Sequence, residues 1–226
     1  CEGEMANGVA SLTKGFVDHI FSGESESTFP SFLVTIEQGN ARLNERIVNG
    51  SACKNLDALP TPQFSEYFAQ LRRQLPTYSL DNIWVPYESS RGCWWGEKHH
   101  CTFCGINGTG MSFRERSHER VLEDLIQYRE DYQCDNICML DNIMPHKYFD
   151  TLLPALADRK LGLHIFYEQK ANLNLRRVQL LRTAGVDIIQ PGIEALSSPL
   201  LKLMKKGVSA AQILDLLRFA LTCGVL

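Results

Sequence analysis

From Asn82 to the final residue, short apolar runs alternate with amphipathic ones, and this alternation restricts the fold more than any other feature of the chain. "NIWVPYESS", "DNICMLDNIM", "LGLHIFYEQKA" and "VDIIQPGIEAL" read as strands. Their cores are apolar through both faces, as a sheet covered on both sides requires. "SHERVLEDLIQYRED" places Val121, Leu122, Leu125 and Tyr128 on one helical face. "KYFDTLLPALADRK" and "LRRVQLLRTAG" are also helical, the second stopped by Gly185. "SAAQILDLLRFALTCG" opens on a Ser209/Gln212 capping box and ends at Gly224. Strands separated by helices run parallel and are joined by right-handed crossovers. Residues 81–226 are therefore expected to form about four β/α units of a partial barrel. "TCGVL" repeats the pattern of "TAGVD" at 183–187, so a fifth strand is expected to begin where the chain stops.

The N-terminal part follows a different pattern. "GVASLTKGF" has Val9, Leu12 and Phe16 at helical spacing, and "VDHIFSGESE" is a short strand running into a turn. "TFPSFLVTIEQG" is a helix with Pro30 in its first turn and Gly39 as its stop. Residues 1–50 thus read as the last unit of an open α/β domain. One such unit makes no sheet of its own. "NLDALPTPQFSEYF" has two prolines and no sustained periodicity, so residues 51–80 read as a linker. The chain opens on Cys1 and closes as a strand begins, and it is expected to be a piece of a longer protein, cut at both ends.

Several classes fall away on composition. A net charge of −3 gives no bulk electrostatic case for nucleic acid or an anionic membrane. No apolar run reaches the roughly 18 residues of a spanning helix. Eight cysteines without a secretory signal argue for a metal or cluster site in a reducing compartment, the cytoplasm, rather than for a disulfide framework.

Three of those cysteines lie in "RGCWWGEKHHCTFC", directly after the first barrel strand, where parallel β/α folds gather their ligands. Structural zinc needs a fourth ligand beside Cys93, Cys101 and Cys104, with His99, His100 or Cys134 as candidates. An iron–sulfur cluster held by only three thiolates leaves one iron open to another molecule.

With Phe103 before the last cysteine and Gly105 after it, the loop resembles that of the radical S-adenosylmethionine superfamily. The superfamily's usual spacing is C-x3-C-x2-C, whereas the first gap here holds seven residues. "ESSRGCWWGEKHHCTFCGINGTGMSFRERS", "FYEQKANL" and "IQPGIEALSSPLLKLMKKG" resemble one subfamily, the radical enzymes that mature ribosomally made peptides and are described as cobalamin-dependent C-methyltransferases. The resemblance implies a barrel of the radical enzyme type, preceded by the end of a cobalamin-binding domain in residues 1–50. It implies that Cys93, Cys101 and Cys104 each ligate one iron of a [4Fe-4S] cluster, whose fourth iron chelates S-adenosylmethionine. Reductive cleavage then gives methionine and a 5′-deoxyadenosyl radical. Phe103, Gly105, Glu168, Gln190 and Glu194 are the candidates for contact with S-adenosylmethionine, and Glu168 and Glu194 for catalysis. Gly23 and Glu24 mark a strand end that a corrinoid can approach. The implied partners are a peptide precursor and an electron donor.

Other residues carry weaker expectations. Lys170 lies two residues after Glu168, and the two are expected as a pair at the barrel mouth or as a structural salt bridge. Asp141 and Asn142 end the second strand in an equivalent place. Arg114 and Arg116 are candidates for neutralising a carboxylate. Trp94 and Trp95 are expected to shield the cluster.

Overall fold

The computed structural model describes residues 4–39, 45–105 and 111–226, which divide into two compact units. Residues up to Leu59, together with Gly105, belong to the first unit, and the second spans Pro60–Cys104 and Met111–Leu226.

The first unit holds helix α1 (Glu4–Leu12), strand β1 (Ile20–Ser22), helix α2 (Thr28–Glu37) and strand β2 (Ile47–Asn49). Sequence periodicity indicates only one strand here. The second is three residues long, too short for an alternation to register, and it pairs parallel with β1, Ile20 opposite Ile47. Phe21 packs edge-on against Phe29 and Phe32 of α2, at 5.2 and 5.4 Å between ring centroids. Arg46 ties the entry of β2 to α1 by donating to the carbonyl of Ala10.

The second unit is built on four parallel strands: β3 (Val85–Tyr87), β6 (Asn136–Met139), β7 (His164–Gln169) and β8 (Val186–Pro191), in that order across the sheet. Two more short strands, β4 (Ser90–Arg91) and β5 (Arg114–Glu115), form an antiparallel ribbon of their own. The helices are α3 (Ser65–Gln74), α4 (Trp94–His99), α5 (His118–Tyr132), α6 (Leu152–Arg159), α7 (Leu175–Thr183), α8 (Ser198–Leu203) and α9 (Ala210–Cys223). Val121, Leu122, Leu125 and Tyr128 are all buried, as the helical pattern of α5 requires. Ser209 and Gln212 form the full capping box of α9, and Gly224 closes that helix at φ 66°.

Alternation along the strands separates two faces. Val85, Ile137, Ile165 and Val186 join the helix-covered core. Pro86, Cys138 and Phe166 are register partners, and Phe166 is in turn paired with Ile188. These four line the opposite face, which is less completely covered. The result is a partial barrel, as expected. Leu226 already pairs with β8, its carbonyl accepting from the Ile189 amide and its amide donating to the Asp187 carbonyl, both at 2.8 Å.

The segment expected to be a linker, residues 51–80, contains helix α3. Pro60 and Pro62 precede α3, whose ten residues bury only Phe68 completely. One anchor per helix leaves almost no periodicity to detect. Phe68 is 1% exposed and stacks on Tyr132 at 4.8 Å with an interplanar angle of 8°. Burying a ring of that size stabilises the docked helix by about 1.5–3 kcal/mol.

Candidate metal centre

Beyond β3 the chain is gripped before it reaches the cysteines. Asp141, buried at the end of β6, accepts hydrogen bonds from the amides of Ser89 (2.8 Å) and Ser90 (2.9 Å), from the Tyr167 hydroxyl (2.8 Å) and from the Ser89 hydroxyl. Two strands and one loop thus share one carboxylate. β4 and β5 then pair, Arg91 opposite Arg114, and so draw together the entrance and exit of the segment between them. Gly92 turns the chain inward at φ 80°, where a Cβ would lie 2.3 Å from the Ser112 carbonyl oxygen. Only glycine tolerates both the left-handed backbone and that approach.

Cys93 is the N-cap of α4, its sulfur accepting from the Gly96 amide at 3.3 Å. Helix α4 explains the long first gap. Six of the seven intervening residues coil into it and advance about 9 Å along the axis, whereas six extended residues reach about 20 Å. The extra residues are folded away, so Cys101 remains near Cys93. Burial pushes the Cys101 thiol up, Cys93 and Cys104 add to that rise, and Lys206 and Lys170 oppose it. Cys101 is therefore within electrostatic reach of the other two thiols and of two ammonium groups. Among the described residues, no three His, Cys, Asp or Glu side chains converge on a single ion position.

Of the candidates for a fourth zinc ligand, Cys134 lies apart and the two histidines stay within the cysteine loop. Cys134 precedes β6, at the opposite end of the sheet, and its thiol donates to the Ile83 carbonyl at 3.1 Å. The His99 ring lies over Trp95 at 4.1 Å, and His100 meets the Cys104 carbonyl at 3.2 Å through Nε2.

The loop docks on the turn after α8. The Thr102 amide donates to the Met204 carbonyl at 3.1 Å, and Trp95 Nε1 donates to the Lys205 carbonyl at 3.0 Å. Trp94 Nε1 instead donates to the Met144 carbonyl at 3.0 Å. The two tryptophans thus fasten the loop to the rest of the barrel. Phe103 is half exposed, with the Lys206 ammonium 5.4 Å from its ring centre. Gly105 is exposed, and a Cβ there would meet nothing within 4 Å.

At the strand ends, Glu168 and Gln190 are register partners on neighbouring strands. Burial and the charge of Asp141 raise the Glu168 carboxyl, while Lys206 pulls it down. Glu194 adopts φ 60° and binds the Lys206 ammonium at 2.9 Å. Lys206 carried no expectation; a lysine in the run "LKLMKKG" gives no sign that it reaches a glutamate on another loop. The Glu168–Lys170 pairing is not what forms. Lys170 turns instead to the Lys206 carbonyl at 2.8 Å. Asp141 is consumed by its own network. Arg116 is committed to the core, donating to the Glu88 carbonyl and covering the Tyr87 ring at 5.8 Å. In the first unit, Gly23 ends β1 at φ 82°, and Glu24 accepts from the Cys53 amide at 2.7 Å, which fixes the chain after β2.

These features define an α/β partial barrel with three free thiols in the loop that follows its first strand. Residues 87–225 match the family model described as "Radical SAM superfamily", and the chain belongs to that superfamily. Among curated proteins, it is 26% identical over 227 residues to the hopanoid C-3 methylase of Methylococcus capsulatus, a match that covers 94% of this chain and 42% of the relative. It is 28% identical over 204 residues to the bacteriochlorophyllide d C-12(1)-methyltransferase of Chlorobaculum tepidum, covering 85% and 41%. The chain thus spans about two fifths of the length of these relatives. The solved structure of the cobalamin-dependent S-adenosylmethionine radical enzyme OxsB with aqua-cobalamin bound superposes with a TM-score of 0.72 at 20% identity, over 95% of this chain and 33% of that one, which supports the fold. No helix among the described residues is long and apolar enough to cross a membrane.

Proposed function

We propose that this chain is the S-adenosylmethionine-cleaving part of a radical enzyme that methylates an unactivated carbon with the help of cobalamin, acting on a ribosomally made peptide precursor. The observation that carries the reading is the loop of three free thiols after the first barrel strand, with Cys134 placed at the opposite end of the sheet. The named activities of the methylase relatives support the methyl transfer. The peptide substrate rests on the resemblance of "FYEQKANL" and "IQPGIEALSSPLLKLMKKG" to the peptide-maturing subfamily.

In this reading Cys93, Cys101 and Cys104 hold a [4Fe-4S] cluster and leave one iron for S-adenosylmethionine. When bound, the cluster supplies the electron that splits the sulfonium into methionine and a 5′-deoxyadenosyl radical. The chain's own part is placement and the exclusion of water. Phe103 offers an exposed ring to the adenine. Glu194 and Lys206, already paired, present a carboxylate and an ammonium that can exchange each other for the charged ends of the methionine part. Glu168 and Gln190 stand side by side at the strand ends, where the ribose hydroxyls or the substrate would lie. Cobalamin would approach the strand end marked by Gly23, with Glu24 shaping the loop beneath it. An external donor in the cytoplasm would reduce the cluster.

Anaerobic reconstitution of the full-length protein tests the proposal. The expected result is about four irons per chain, release of 5′-deoxyadenosine on reduction, and a precursor peptide in which a methyl group has replaced one hydrogen when cobalamin is present. Stoichiometric zinc without cleavage would end the radical reading. Cleavage with methylation of a lipid or tetrapyrrole alone would end the peptide assignment.

A further inference from the structure

Lys170 follows the third barrel strand and is 7% exposed. An ammonium at that depth needs partners for its donors or gives up its proton. Its Nζ donates to the Lys206 carbonyl at 2.8 Å, and it stands 2.9 Å from the centre of the Trp95 ring and 5.9 Å from that of Trp94. Such a cation over a desolvated indole face is held electrostatically as well as by packing. Burial pulls Lys170 down to about 8, while the thiols of Cys101 and Cys93 favour its charged form and Lys206 opposes it.

The fit around this ammonium is close. Gly207 has φ 68°, and a Cβ there would lie 2.0 Å from the Trp95 ring and 3.0 Å from Lys170 Nζ. Ring, ammonium and turn therefore share a space that admits no further methyl group. Trp95 belongs to α4, which joins Cys93 to Cys101, so whatever fixes this ring fixes both cysteines.

We infer that Lys170 is a positioning residue for the cluster, its ammonium pinning Trp95 and the Cys93–Cys101 segment against the turn at 204–207 and holding one positive charge beside two of the three ligands. The inference rests on the cluster reading above. A fixed positive charge favours the more negative, reduced cluster and so raises its reduction potential.

The test compares the full-length protein with its Lys170→Met variant, both reconstituted anaerobically and titrated potentiometrically under electron paramagnetic resonance. The near-ultraviolet circular dichroism of the metal-free forms is recorded alongside. The variant is expected to show a more negative midpoint potential and a weakened tryptophan band, with its far-ultraviolet spectrum unchanged. A loaded variant at the parent's potential overturns the inference. If the variant takes up no iron, a weakened tryptophan band supports the inference and an unchanged one overturns it. Should Lys170→Met fail to fold, Gly207→Ala crowds the same ring without removing the charge. A lowered iron uptake with a weakened tryptophan band then supports the clamp, and parental values overturn it. A parent chain that takes up no iron ends the cluster reading itself, a result distinct from any of these.

Discussion

Asp141→Asn isolates the one carboxylate that ties β6, β7 and the approach to the cysteine loop together. Asp141 is 1% exposed, and its burial raises its carboxyl to about 6 even though four hydrogen bonds pull the other way. The folded value therefore lies above the unfolded one. Such an acid contributes stability that is fully present below the unfolded value and is lost as pH rises through the folded one, because the native state binds the proton more tightly. At 1.36 kcal/mol per unit, two units amount to about 3 kcal/mol over the whole window, and roughly 2 kcal/mol of this falls between pH 4.5 and 7. Asparagine keeps an acceptor for the Ser89 and Ser90 amides, and its NH2 can donate to the Ser89 and Tyr167 hydroxyls, which are able to accept instead. It removes the titration without emptying the site. Urea unfolding of parent and variant across that range checks the sign: the parent's advantage is expected to shrink by roughly 2 kcal/mol from pH 4.5 to pH 7, since groups that do not sense the Asp141 charge, unlike Glu168, cancel. An advantage that stays flat, or grows toward neutral pH, would refute the assignment of the raised carboxyl to Asp141.

Phe68→Ala should destabilise the second unit by about 3–5 kcal/mol, read from the urea midpoint; a change below about 1 kcal/mol would mean that α3 is not docked through this ring. Gly92→Ala forces a left-handed alanine into the Ser112 carbonyl and should cost roughly 2–4 kcal/mol or, if the ribbon opens instead, lower iron uptake; normal loading at full stability would refute the close approach. Replacing any one of Cys93, Cys101 or Cys104 with serine should reduce iron well below the roughly four atoms expected of the parent, whereas Cys134→Ser should leave iron content unchanged. Glu194→Gln should raise the KM for S-adenosylmethionine about tenfold, near 1.4 kcal/mol, and an unchanged KM would remove Glu194 from the cofactor site.

The parts of this fold that were readable in the sequence are those whose signals are local. Strand cores such as "HIFYEQ", the apolar face of α5 and the Ser209/Gln212 box each announce themselves within one helical turn or a few alternating positions. The cysteine loop was readable for the same reason. Strands of two or three residues, β2, β4 and β5, are shorter than any period that could reveal them. Helix α3 hides because a single ring anchors it. The Ser89–Asp141–Tyr167 network joins residues 52 and 26 apart in sequence, so no spacing rule could bring them together. Lys170 shows a further limit. Two residues from Glu168 and on the same face, it reads as that residue's partner, yet the chain after α8 brings it a carbonyl and α4 a tryptophan ring instead.

The short ribbon of β4 and β5 has a consequence for how such centres diversify. By clasping Arg91 to Arg114, it turns everything between them into a cassette whose two mounting points stay put whatever its contents. Doubling the length of a flexible loop adds only about 0.6 kcal/mol to the cost of closing it. Residues can therefore be added between the first two sulfurs with little effect on the barrel beneath, so long as the Trp94 and Trp95 anchors are kept.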